Sequence, residues 1–205
     1  GKEITDIEAL KKDYDYVVLA VGASEQGVLK LEAGDTMNAL DFLARFKATE
    51  GKVELGKNVV VIGGGNTAMD TARAAKRNAG VEKVSLVYRR TRRYMPADEE
   101  ELVMAVEDGV EFAELLAPVK LENGVLYCKK MVLGDMDASG RRGVVETDET
   151  VEVPADTVIA AVGEKVPGAF YESFGIALDS RRRPQVNQET LETSVKGVYV
   201  AGDGL

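Results

Sequence analysis

The run Lys57-Asn58-Val59-Val60-Val61-Ile62 is followed without a break by Gly63-Gly64-Gly65, and then by residues 66–79, rich in alanine and free of internal Gly or Pro. No other feature constrains the fold as much. A continuous apolar run predicts a strand buried on both faces, the kind found in parallel sheets covered on each side. The alanine-rich stretch predicts a helix, with Gly80 a suitable residue just past its end. Residues 84–88 read as another buried strand. Strand, glycine turn, helix and strand form one unit, which implies a parallel pair joined by a right-handed crossover. The chain is therefore read as α/β with a Rossmann-like core.

The flanking sequence elaborates that core. Residues 15–22 form another apolar run ending in Gly, read as a strand buried on both faces, and residues 36–48 carry Met37, Leu40, Leu43, Ala44 and Phe46 near helical spacing, with Thr36 as a candidate N-cap. Residues 97–108 read as an acidic amphipathic helix closed by Gly109. From 110 to 153 the pattern becomes that of a small antiparallel β meander. Asn123-Gly124 between short apolar runs is a strong hairpin signal, and residues 137–143 suggest a second turn. Residues 154–163 then restore the buried-strand pattern. Asp15-x-Val-Val-x-Ala-Val-Gly22 is echoed by Asp156-x-Val-Ile-x-Ala-Val-Gly163, so the same strand-end device occurs twice.

The glycine turn has a chemical reading. Gly63-x-Gly65-x-x-Ala68 lies directly between strand and helix, the context in which this pattern marks a dinucleotide-binding turn. Gly63 permits the tight turn, Gly65 lets a pyrophosphate approach the backbone, and Ala68 keeps the helix close to the strand. The first helical N–H groups and the positive end of the helix dipole face that anion. Asn66 and Thr67 are placed to add side-chain hydrogen bonds.

Four arginines then fall within five positions, in Tyr88-Arg89-Arg90-Thr91-Arg92-Arg93, although the 205-residue chain carries a formal net charge of −9. A strongly acidic chain is a poor match for nucleic acid or an anionic membrane surface, so the arginines await a local anion. NAD-selective turns carry an acid about 20 residues beyond the glycines, to bind the ribose hydroxyls. Arg89 stands about 21 residues after Ala68, with Arg90 beside it, and guanidinium groups there suit a 2′-phosphate. The anion is read as that of NADP(H). The competing reading makes the cluster a solvated charge run, or a partner for the acids at 98–101.

Composition removes most other chemistry. With no histidine and with Cys128 as the single cysteine, imidazole-based triads, His-ligated metals, a disulfide framework and a redox cysteine pair are excluded, and no metal site is expected. That also sets aside a thioredoxin-reductase type of reaction. No apolar run reaches the roughly 20 residues of a membrane span, and the start GKEITDIEAL lacks a signal-peptide layout, so a cytoplasmic location is expected.

The segments GGGNTAMDTARAAKR, VYRRTRRYMPADEEE, EDGVEF, DTVIAAVGE and TSVKGVYVAGD together resemble the NADPH-binding portion of the glutamate synthase small-subunit family, which includes the pyridine-nucleotide part of dihydropyrimidine dehydrogenase. The resemblance runs from about residue 13 to residue 205. It implies an NADPH domain inserted into an FAD domain, with hydride passing from NADPH to flavin and electrons passing on to iron–sulfur centres elsewhere. It implies that Gly63, Gly64, Gly65, Asn66, Thr67 and Ala68 hold the pyrophosphate, and that Arg89, Arg90 and Arg93 hold the 2′-phosphate. Gly163 lies near the nicotinamide on this reading, and Gly202 and Asp203 contact the flavin. No catalytic side chain is implied, since hydride transfer needs alignment and shielding from water rather than a general base.

Residues 1–50 are expected to be a segment of the FAD domain with a linker helix, 51–163 the NADPH domain, and 164–205 the returning FAD segment. The family's earlier glycine fingerprint and its cluster cysteines have no counterpart here. The chain therefore reads as a piece of a larger flavoprotein, expected to bind FAD weakly and to be inactive alone. A non-catalytic NADP(H)-binding or subunit-docking module is the alternative. Met95-Pro96 is expected to shape a loop, Asp70 to complement the helix dipole from the first turn, Asp98 to Glu101 to form a solvated first turn, Asp203 to cap a helix, and Cys128 to act as a small hydrophobe.

Overall fold

A computed structural model of the chain describes residues 3–23, 25–136 and 142–205. The chain divides into two compact units, one made of Gly1–Gln26 with Glu164–Leu205 and the other of Gly27–Gly163. In the first unit α1 (Ile7–Asp13), β1 (Val17–Leu19) and β2 (Glu25–Gln26) come first. The second unit then runs through β3 (Met37–Asn38), α2 (Ala39–Ala48), β4 (Asn58–Gly63), α3 (Asn66–Lys76), β5 (Lys83–Tyr88), α4 (Glu99–Glu107) and β6 (Glu111–Glu114). It continues with β7 (Leu116–Glu122), β8 (Val125–Met136), β9 (Arg142–Pro154) and β10 (Thr157–Ala161). The chain returns to the first unit as β11 (Glu164–Lys165), α5 (Gly168–Ser173) and β12 (Val198–Val200).

The second unit is a three-layer sandwich around a parallel sheet of order β3-β10-β4-β5-β6. Alternation along β4 explains why its apolar run is unbroken. Val59 and Val61 face α2, α3 and α4 through Phe42, Met69, Ala72 and Leu102, while Val60 and Ile62 face the meander through Leu126 and Cys128. Both faces are covered, so every position must be apolar. On α3, Ala68, Met69, Thr71, Ala72 and Ala75 form the buried stripe. Arg73 Nε donates to Asp108 Oδ2 at 2.8 Å and Arg77 Nη2 donates to the same oxygen at 2.6 Å, tying α3 to the end of α4.

Several expectations are corrected. Residues 111–114 are not in the meander: β6 pairs in parallel with β5 at the sheet edge, and the antiparallel layer is β7-β8-β9 alone. Periodicity alone does not show which neighbour a short strand adopts. The helix expected from 36 begins at Ala39, capped by Asn38, whose Oδ1 accepts from Leu40 N at 2.7 Å, because residues 37–38 are drawn into the sheet as β3. Helix α3 ends at Lys76 rather than 79, and Asp70, its fifth residue, lies beyond the first turn. Of the segment 1–50, expected to be FAD-domain chain with a linker helix, residues 27–50 group with the second unit instead, where Phe42 of α2 is fully buried in the core. The hairpin at Asn123-Gly124 is present as expected, with φ of 52° and 75°, the paired left-handed conformation of a type I′ turn. The turn expected around residues 137–143 falls largely outside the described residues.

In the first unit β1 pairs in parallel with β12, and Val17, Leu19, Val198 and Val200 pack on Ile7, Tyr171 and Ile176. Only one face of this two-stranded sheet is packed within the unit. Val18 is 59% exposed, so the expectation of burial on both faces fails there. The echo between the two apolar runs survives as backbone geometry: Gly22 follows β1 at φ 65° and Gly163 follows β10 at φ 103°. Among the described residues no helix is long and apolar enough to cross a membrane.

Candidate dinucleotide-binding site

The candidate site lies at the C-terminal ends of β10, β4 and β5. Ala161 is in register with Gly63 and Ile62 with Val87, so Gly163, the glycine turn and the arginine segment leave the same edge of the sheet side by side. From β4 the chain proceeds outward through β5 to β6, while β10 lies on the other side of β4. Such a reversal of strand order is where open α/β sheets bind ligands.

The three glycines differ in what they face. A Cβ on Gly63 would collide with the carbonyl oxygen of Ala161 and lie 2.9 Å from Ala68 Cβ, so Gly63 and Ala68 set the tight strand-to-helix approach. A Cβ on Gly64 would enter the ring of Tyr88, 2.7 Å from Cδ2. At Gly65 nothing lies within 4 Å of a built Cβ. Gly65 is also the N-cap of α3, and no side chain caps the helix there. The result is a helix N-terminus with no side-chain cap at Gly65, beside an open Cα among the described residues, suited to an anion that must come close to the backbone.

Asn66 does not extend its side chain toward that opening. Its Oδ1 accepts from Asp98 N at 3.0 Å and its Nδ2 donates to Asp98 Oδ2 at 3.2 Å. Ala97 N donates to Gly64 O at 3.0 Å, which fastens the end of the arginine segment to the glycine turn. Thr67 is half-buried in the first turn of α3 and Ala68 is fully buried.

The structure separates the four arginines. Arg92 is spent on the scaffold: its N donates to Glu114 Oε2 at 2.8 Å and its Nη2 donates to Glu99 Oε1 at 2.8 Å. The competing expectation, a partner for the acidic turn, therefore holds for Arg92. Glu101 in turn meets Arg73 at 3.4 Å, so the first turn of α4 is partly neutralised rather than merely solvated. Among the described residues Arg89, Arg90 and Arg93 make no salt bridge. Arg89 is exposed, Arg90 is half-buried, and Arg90 Nε is buried with no hydrogen-bond partner among the described residues. A buried donor left unsatisfied is costly unless something else meets it. Arg93 is exposed, with its guanidinium 6.0 Å from the ring of Tyr94.

A cleft of about 420 Å³ opens between this segment and α4, lined by residues including Arg92, Arg93, Met95, Asp98 and Leu102. None of the glycines lines it. The glycine turn, with its open Cα at the start of α3, is the better-founded anion site. Gly163 has open space on its Cα side, and its carbonyl accepts from Gly27 N at 2.7 Å. Gly202 and Asp203 lie in the first unit, in a single 3₁₀ turn after β12 (Gly202–Gly204), where Tyr171 Oη donates to Gly204 O at 2.7 Å. Gly202 adopts φ 67° with open space around it, and Asp203 belongs to that turn. Burial pushes the Cys128 thiol up to about 12, consistent with a packing role rather than a nucleophile.

Tyr88, Asp98 and Glu114 were not singled out from sequence for the roles they take. Tyr88 carries a weak signal, an aromatic directly before the arginines. The pairing of Asn66 with Asp98, 32 positions apart, has none.

Comparison with known proteins gives three results. A family model described as pyridine nucleotide-disulphide oxidoreductase matches residues 2–205. YgfK of Escherichia coli strain K12, which its name describes as an oxidoreductase, is 43% identical over 203 residues, covering 96% of this chain and 19% of that protein. The glutamate synthase [NADPH] small chain of the same strain is 36% identical over 228 residues, covering 99% of this chain and 48% of that one. This chain thus spans about a fifth to a half of those relatives' length. Among solved structures, Mycobacterium tuberculosis FprA in complex with NADPH aligns with TM-score 0.72 at 20% identity, over 96% of this chain and 60% of that one, a likeness of fold.

Proposed function

The chain belongs to the pyridine nucleotide-disulphide oxidoreductase family, and on that premise we propose that residues 27–163 are the NADPH-binding domain of a cytoplasmic flavin-dependent oxidoreductase related to the glutamate synthase small chain. In the larger protein the first unit contributes part of an FAD domain, and electrons pass onward to iron–sulfur centres. One observation carries the reading: among the described residues, three guanidinium groups without a carboxylate partner stand one strand away from a glycine turn whose Gly65 Cα is open.

The residues fit the cofactor. Gly63 to Ala68 supply the turn and the helix N-terminus for the pyrophosphate. Arg89, Arg90 and Arg93 hold the 2′-phosphate, with the buried Nε of Arg90 as a donor awaiting an acceptor. Gly163, open at the end of the neighbouring strand, leaves room for the nicotinamide. Gly202 and Asp203 take the flavin side. When bound, NADPH supplies the hydride; the chain's own part is to hold and orient the nicotinamide and to keep water out, which requires no titrating side chain.

The test is calorimetric titration of the 205-residue chain with NADPH and with NADH. NADPH is expected to bind more tightly. A charge-assisted hydrogen bond is worth about 1.5–3 kcal/mol, so Arg89→Ala should weaken NADPH roughly ten- to a hundredfold and leave NADH nearly unchanged. Equal affinities in the unmodified chain defeat the assignment.

A further inference from the structure

The side chain of Asn66 stands where a phosphate ligand is expected, yet both its polar atoms are committed to Asp98, one to the backbone N–H and one to the carboxylate. Around that pair the segment from residue 89 to 98 is fastened to the glycine turn at both ends. At its start the ring of Tyr88 fills the space over Gly64, and Tyr88 Oη donates to Tyr94 O at 3.0 Å. At its end Ala97 N reaches Gly64 O, and Asp98 reaches Asn66. Arg92 ties down the middle through Glu114 and Glu99, which leaves Arg89, Arg90 and Arg93 as the segment's arginines without a salt bridge among the described residues.

Resting on the assignment of those three arginines to the 2′-phosphate, we infer that the Asn66 side chain is a positioning group: with Asp98 it fixes the arginine segment against the glycine turn and thereby sets selectivity for the phosphorylated ribose. Paired guanidinium groups bind a phosphate well only when they are held in place, so a tie that registers one loop against the other acts on the cofactor that uses both loops. NADH, lacking the 2′-phosphate, uses the glycine turn without the arginines. Loosening the tie therefore weakens NADPH and spares NADH, whereas loss of a direct pyrophosphate ligand weakens both.

Charge gives the test a sign. Asp98 is an anion near a site for anions, so if it acted only through its charge, removing it would tighten NADPH. Acting as a tie, Asp98→Ala should weaken NADPH about three- to tenfold, the scale of one net hydrogen bond, with NADH unchanged. Asp98→Asn removes the charge but keeps an oxygen to accept from Asn66 Nδ2, and should bind NADPH at least as tightly as the unmodified chain. Asn66→Ala should reduce NADPH affinity more than NADH affinity. Both side chains are exposed, so these variants should fold, which thermal unfolding checks.

Titration of the unmodified chain and the three variants with both cofactors decides the matter. Parallel loss of both cofactors in Asn66→Ala makes Asn66 a phosphate ligand and overturns the inference. An NADPH affinity that rises or holds in Asp98→Ala overturns it as well, while leaving the arginine assignment standing. Absence of NADPH preference in the unmodified chain overturns the assignment itself, and the inference with it.

Discussion

Replacing Gly65 with Val should separate binding from folding. Gly65 has a negative φ of −97° and no atom within 4 Å of a built Cβ, so a side chain enters open space and the fold tolerates it. The stability cost is that of a poorer N-cap, about 1 kcal/mol, which for a chain of this size lowers Tm by roughly 2–4 °C. The same open space is where the pyrophosphate must meet the helix N-terminus. Holding it off forfeits about two charge-assisted hydrogen bonds, roughly 3–6 kcal/mol, so both NADPH and NADH should weaken by at least about a hundredfold. Gly64→Ala provides the contrast. Its Cβ meets the Tyr88 ring at 2.7 Å, and overpacking of about 1–3 kcal/mol should lower Tm by roughly 3–10 °C. Thermal unfolding and calorimetric titration of the two variants give both quantities. A folded Gly65→Val protein that keeps either cofactor refutes the reasoning and reduces the glycine run to a turn.

Arg92→Ala should leave NADPH affinity within about twofold of the unmodified chain, because Arg92 is paired with Glu99 at the surface, and exposed pairs contribute about 0–1 kcal/mol; calorimetry checks this against Arg89→Ala. Asp156 Oδ2 accepts from Asn58 N and Lys57 N, and these bonds hold its carboxyl below the usual range. Its stabilising contribution is therefore full above the unfolded value near about 3.9 and is lost as pH falls through the lower folded value. Urea unfolding at pH 7 and pH 3 should show a smaller acid loss for Asp156→Asn than for the unmodified chain.

The parallel core was legible because burial on both faces leaves long apolar runs in β4 and β5, and a glycine turn between strand and helix admits few structures. The hairpin at Asn123-Gly124 was legible for a similar reason, since two consecutive left-handed residues demand such a pair. Residues 111–114 were misread because a four-residue strand with mixed burial carries no sign of its neighbour, and β6 is placed by the edge that β5 leaves open. The run at 15–22 shows the converse: an apolar pattern suited to two covered faces, with only one face packed within its unit. At the candidate site, spacing points to the glycine turn, Arg89 and Arg90, and the family resemblance adds Arg93. What spacing could not show is the geometry of the Arg92 pairing, because Glu99 and Glu114 reach Arg92 through helix and strand placement. The Asn66–Asp98 tie was hidden for the same reason.

The central claim is that a phosphate monoester on the cofactor ribose sits among Arg89, Arg90 and Arg93. The ³¹P resonance of the 2′-phosphate of NADP⁺, followed against pH in the free and bound states, tests it most directly. Such a monoester loses its second proton near about pH 6, and guanidinium groups at hydrogen-bond distance favour the dianion. The account predicts that in the complex this transition moves down by at least about one unit, and that it returns toward the free value in Arg89→Ala. A bound 2′-phosphate that titrates as it does in free solution, or a chain that does not take up the nucleotide, contradicts it.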